Sequence, residues 1–213
     1  MEQKNFVITI ARGYGSGGRR IAQKLSEELG IPFYDRKMIV LASQDSGLSE
    51  ELFARVDERL RGSYVTNILR NWAASTAMPS PEERAFVSDL NLFRLQKKVI
   101  EHLADSESCI IVGRCADYIL RDRSNVLSVY VEADREYCLK SIKLREDLSR
   151  EEAEEKLISI DKHRADYYKC YTEGGNWTNP VNYDLTLNTG RLGIDTSCEL
   201  IRQALRLKLG AEV

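Results

Sequence analysis

The chain has 213 residues, enough for one generous domain or a core carrying an inserted helical subdomain. Lys and Arg number 31 against 33 Asp and Glu, so both signs mix over the surface and no basic bias calls for nucleic acid. No apolar run approaches a membrane span, and the early first strand leaves no room for a signal peptide, so a cytoplasmic location is expected.

The first apolar run, 6–10, predicts a strand. Residues 12–20 follow as Arg-Gly-Tyr-Gly-Ser-Gly-Gly-Arg-Arg, and Ile21, Ala22, Leu25 and Leu29 then mark an amphipathic helix that ends at Gly30 and Pro32. Strand, glycine-rich loop and helix in that order are where a phosphate-binding loop belongs. Glycines let amides converge on an anion, and a helix N-terminus attracts one. Gly13, Gly15, Ser16, Gly17, Gly18, Arg19 and Arg20 are the candidate donor-phosphate residues. The alternative is a tight turn with nothing bound. The Walker pattern asks for Gly, four residues, then Gly-Lys and a hydroxyl residue. Its slots here hold Arg12, Gly17, Gly18 and Arg19, so the phosphate-gripping Lys is a glycine.

A second strand is expected over 32–35. It closes on Asp35 and Arg36, candidates for a cleft because open parallel sheets bind ligands beyond the carboxyl ends of their strands. Only helix is expected over 45–105, with caps at Ser49 and Ser80, which reads as an acceptor-side helical insertion. Its least periodic stretch is 61–80. The strand over 108–112 runs into Gly113, Arg114 and Asp117; Arg114 suits an acceptor phosphate and Asp117 a hydroxyl or the arginine itself. A strand over 126–131 leads to Asp134, an N-cap for a helix over 135–147. Ser149 with Glu152 forms a capping box for a helix reaching about residue 168. The segment 145–175 is cation-rich and reads as a lid over phosphates, although its many acids also suit an ordinary solvent face; its Lys162 and Arg164, with Arg114, are the candidate catalytic cations. A last strand over 184–188 and a helix over about 196–209 close the chain. Short apolar strands alternating with helices give an α/β parallel sheet. The five cysteines are scattered and the two histidines far apart, so free thiols are expected and no metal site built on His and Cys.

These motifs resemble the cytidylate kinase-like family of the P-loop nucleoside monophosphate kinases. The resemblance rests on Ile8 to Leu29, on Gly30-Ile31-Pro32-Phe33-Tyr34-Asp35-Arg36, on Ile111-Val112-Gly113-Arg114, and on Tyr183 to Asp195. It implies a three-layer fold with a five-stranded parallel sheet in order 2-3-1-4-5, ATP with Mg²⁺ as donor and a pyrimidine nucleotide as acceptor, which the changed site residues widen to a nucleotide or other phosphorylated small molecule. Departures accompany it. Gly18 stands in the Lys slot, Arg20 in the loop threonine slot, and Cys115 where cytidylate kinases carry Asp. Two functions fit: an ATP-dependent phosphotransferase, or a degenerate kinase fold that binds a nucleotide or phosphate without turnover.

Overall fold

The structure, a computed structural model, describes residues 5–39 and 89–210. The expected caps at Ser49 and Ser80, the stretch 61–80 and most of the expected insertion lie outside the described residues. The chain divides into two compact units, residues 1–36 with 100–213, and residues 37–99.

The first unit contains the five strands found among the described residues. β1 (Val7–Arg12), β2 (Phe33–Tyr34), β3 (Cys109–Val112), β4 (Val126–Glu132) and β5 (Leu185–Asn188) form one sheet in the order β2-β3-β1-β4-β5. Every pairing is parallel, with Val7 opposite Cys109 on one side and Val126 on the other. Among the described helices are α1 (Gly18–Leu29), α2 (Asp89–Ser106, in the first unit from residue 100), α3 (Ala116–Ile119), α4 (Arg135–Glu146), α5 (Arg150–Tyr171) and α6 (Thr189–Leu209).

Strand side chains alternate between faces. Ile8 and Ile10 of β1, with Leu127, Val129 and Val131 of β4, point to one face and meet Ile21 and Leu25 of α1 and Ile201 and Leu205 of α6. On the other face Thr9 and Ser128 share a buried hydrogen bond of 2.9 Å. The central strands are thus buried on both faces, which explains their nearly unbroken apolar sequences. Among the described residues no helix is long and apolar enough to cross a membrane. All five cysteines are free.

Local sequence sets the helix ends. The Asp134 carboxylate accepts the Tyr137 amide at 2.9 Å and starts α4. Ser149 caps α5, and Glu152 accepts the Ser149 amide at 2.8 Å, completing the capping box. The last helix departs from expectation. It begins at Thr189 rather than 196, capped by Asn188, and bends at Gly193, which has φ 77°. Gly190 and Gly193 interrupt the apolar period there and hide the first turns. The short α3 was also not expected; Gly113 precedes it, and Arg114 and Cys115 enter it with φ near 58° and 55°.

A parallel sheet gathers its strand ends on one edge. Arg12, Asp35, Gly113, Glu132 and Asn188 all stand at the carboxyl edge of the sheet, and the candidate site is built there.

Candidate functional site

The loop after β1 is held from beneath. The Gly13 amide donates to the Val131 carbonyl at 3.1 Å. The buried Ser16 hydroxyl donates to the Gly13 carbonyl at 2.9 Å. Thr189, also buried, donates its hydroxyl to the Ser16 carbonyl at 2.5 Å. Ser16 therefore fastens the loop through its side chain. Gly15 and Gly17 both have φ 87°, a left-handed backbone that L side chains seldom adopt. Gly17 is the N-cap of α1 and offers no side-chain cap. No acceptor among the described residues takes the amides of Gly15, Gly17, Gly18, Arg19 or Arg20. These donors lie at the positive end of the α1 dipole, where an anion is favoured.

One amide of the loop is already taken. Asp161 of α5 accepts the Tyr14 N–H at 2.9 and 3.2 Å through its two oxygens. Arg164, one turn on, donates to Asp161 and to the Arg12 carbonyl, both at 3.0 Å. Burial raises the Asp161 carboxyl and lowers the Arg164 guanidinium, and their attraction opposes both shifts. α5 is thus fastened to the loop by an acid and a base 147 and 152 residues away in sequence.

Beside the loop lies a cavity of about 480 Å³ at the carboxyl ends of β1 and β3. Among the described residues four arginines line it: Arg12, Arg36, Arg114 and Arg164. Of these only Arg164 has a carboxylate partner among the described residues. The Arg114 guanidinium lies 4.9 Å from the Tyr167 ring centroid, and its buried Nε has no hydrogen-bond partner. Burial, with Arg114 pressing on it, lowers the Arg36 guanidinium. Arg12 is half-buried; burial, then repulsion from Arg164 and Arg114 against attraction by Asp35, lowers it to about 9. Tyr14, Tyr167, Tyr168 and Trp177 supply aromatic wall. On α5 the lining residues Ile160, His163, Arg164, Tyr167 and Tyr168 follow three- and four-residue spacing, so one face of the helix serves the cavity.

Among the described residues the one carboxylate in the lining is Asp117, at the start of α3. It accepts the Tyr168 hydroxyl at 2.8 Å, and burial pushes it up to about 6 despite that bond.

The structure thus brings Arg36, Arg114, Asp117 and Arg164 into one cavity. Asp35 stands outside the lining and pairs with Arg19 at 3.1 Å; Arg19 is 70% exposed and Asp35 12%. Arg20 is exposed, beside Lys24 and Asp195. Lys162 is exposed and outside the lining; its neighbour His163 is within it. Besides Tyr14, Trp177 and Thr189, the charged residues Arg12 and Asp161 of the site were not candidates from the sequence. Arg12 stood in the loop as a misfit to the Walker pattern, and its charge was the available signal. Asp161 carried none, because acids are frequent along α5.

Magnesium takes oxygen ligands, usually one or two carboxylates plus phosphate and water. Among the described residues no group of three or more His, Cys, Asp or Glu is placed to hold a metal ion. Asp35 and Glu132 flank the loop, so the donor set fits an ion held mainly by phosphate and one carboxylate.

A model of the cytidylate kinase-like family matches residues 7–191. No curated protein matches the sequence. Among solved structures, an uncharacterized protein from Eubacterium ventriosum is 25% identical over 94% of this chain and 98% of its own, with TM-score 0.68. Shikimate kinase from Bacteroides thetaiotaomicron is 13% identical over 94% and 98%, with TM-score 0.50. TT1252 from Thermus thermophilus is 19% identical over 96% and 98%, also with TM-score 0.50. The last two likenesses are of fold alone.

Proposed function

We propose that this chain, which belongs to the cytidylate kinase-like family, transfers the terminal phosphoryl group of ATP to a small phosphorylated acceptor such as a nucleotide. The observation that carries the reading is the pairing of glycine-loop amides that have no acceptor with a cavity whose Arg12, Arg36 and Arg114 lack carboxylate partners, both among the described residues.

The loop amides of Gly15, Gly17 and the first turn of α1 hold the donor phosphates. Arg19 and Arg20 stand at the same helix end, where a bound anion relieves their conflict with the dipole. Arg114 grips the acceptor phosphate, with Arg36 beside it; a guanidinium fork suits phosphate and is always available as a cation near neutral pH. Asp117 orients the acceptor through a hydrogen bond at its carboxylate. Arg164 neutralises charge that spreads over the transferred oxygens, and α5 closes over the site as its lid. Magnesium would bind the donor phosphates and Asp35, where it supplies charge neutralisation; Arg19, mostly exposed, is free to leave Asp35 for phosphate. In-line phosphoryl transfer demands positioning and electrostatics rather than covalent help from the protein, so this set is chemically sufficient.

Calorimetry tests the division of labour. ATP and a panel of nucleoside monophosphates are titrated separately into wild type and Arg114→Ala. Loss of a charge-assisted contact should weaken the acceptor about tenfold or more while ATP changes little. Equal losses for both ligands would remove Arg114 from the acceptor role. A second reading, ligand binding without turnover, draws on Asp161: its carboxylate holds the Tyr14 amide within the loop and must be displaced or tolerated by the donor.

A further inference from the structure

The absent lysine is bound up with the position of Arg12. A Cβ built on Gly18, the Lys slot, meets Arg12 Cβ at 2.7 Å and Cγ at 3.0 Å. Real Cβ atoms do not approach so closely, and the stem they meet begins at the backbone rather than at a flexible tip. An Arg at position 12 and a side chain at position 18 therefore exclude one another. From that stem the Arg12 guanidinium continues to Gly113, where an added Cβ would collide with Nη1. Two glycines thus form a channel that carries Arg12 from the end of β1 over the start of α1 to the end of β3. Its charged end lines the cavity, and no ion pair or hydrogen bond is made by that side chain among the described residues.

The Walker pattern puts Gly in the first slot and Lys in the seventh. This chain holds the reverse arrangement, a cation in the first and Gly in the seventh. We propose that Arg12 is the donor-phosphate cation of this site, a transposed replacement for the loop lysine that reaches the phosphates from the strand side between loop and acceptor cavity. The proposal rests on the phosphotransferase reading and deepens it: the residues flanking the helix, Arg19 and Arg20, are then auxiliary. Burial and the neighbouring arginines leave Arg12 short of counter-charge, which an anion would supply.

The test uses the full-length protein, with ATP and inorganic tripolyphosphate as titrants in calorimetry and thermal melting as the fold control. Arg12→Met keeps the stem in its channel and removes the charge. It should weaken both titrants about tenfold to a hundredfold, while Arg12→Lys retains most of the affinity. Gly18→Lys alone should lower both melting temperature and affinity, because the channel is filled. The double variant Arg12→Gly with Gly18→Lys restores the Walker order and should recover both. Unchanged affinity in Arg12→Met, or a Gly18→Lys variant that melts and binds as wild type does, overturns the transposition while leaving the phosphotransferase reading intact. Failure of wild type to bind either titrant overturns both.

Discussion

Replacing Asp117 by Asn should stabilise the folded protein above neutral pH and lose that advantage in acid. Burial raises this carboxyl from 3.8 to about 6. One unit corresponds to about 1.4 kcal/mol, so ionising Asp117 costs about 3 kcal/mol more in the folded chain than in the unfolded one. A raised folded value means that the carboxyl contributes most stability when protonated. That contribution is full below about 3.8 and is lost as pH rises through about 6. Asn keeps the carbonyl oxygen that accepts the Tyr168 hydroxyl but carries no charge to desolvate. The gain is trimmed by the new amide N–H₂, which needs an acceptor, so about 1–3 kcal/mol is expected at pH 8. Urea unfolding of both proteins at steps from pH 4 to pH 8 isolates the effect, since all other groups titrate alike in the two. A difference that does not change with pH would show that Asp117 titrates as an ordinary carboxyl, and the cavity would then be far wetter than described.

Other perturbations address the loop and its fastenings. Thr189→Val removes a buried hydroxyl that donates to Ser16, so about 1–3 kcal/mol of unfolding free energy should be lost; no loss in urea titration means the loop is held otherwise. Asp161→Asn frees the Tyr14 amide from a competing charge, and ATP should bind several-fold tighter by calorimetry; weaker binding would identify Asp161 as part of the donor site. Because Arg12 is lowered to about 9, an anion that raises it again should take up protons near that pH. Calorimetry in buffers of different ionisation enthalpy reads the uptake, and affinity should fall as pH climbs past 9. Ser149→Ala should cost about 0.5–2 kcal/mol through loss of the α5 cap, seen as a lower urea midpoint.

The strands and several caps were legible because local patterns determine them. Apolar runs bounded by turn residues marked the five described strands, and Asp134 and Ser149 each announced a helix by a side chain that bonds an amide three residues on. Asn188 does the same for α6, but Gly190 and Gly193 broke the apolar period that would have pointed to it. The site was legible where it sits at strand ends: Arg36, Arg114 and Asp117 share one cavity because a parallel sheet aligns its carboxyl edges. What stayed hidden depends on chain segments meeting across the fold. The path of Arg12 is set by glycines at 18 and 113, and only their proximity gives either glycine its meaning. The hold of Asp161 on the loop likewise has no local signature. For Lys162 and Arg164, sequence supplied the charge but not the helical phase, which turns Arg164 to the cavity and leaves Lys162 exposed.

Acceptor-dependent release of ADP tests the central claim most directly. Wild type is incubated with ATP, magnesium and, one at a time, a panel of nucleoside monophosphates and other small phosphorylated compounds, with Arg114→Ala alongside. Phosphoryl transfer predicts ADP release that requires one acceptor class, saturates with it and falls steeply in the variant. Saturable ATP binding with no release above background for any acceptor would contradict the claim and leave a nucleotide-binding module on a kinase fold.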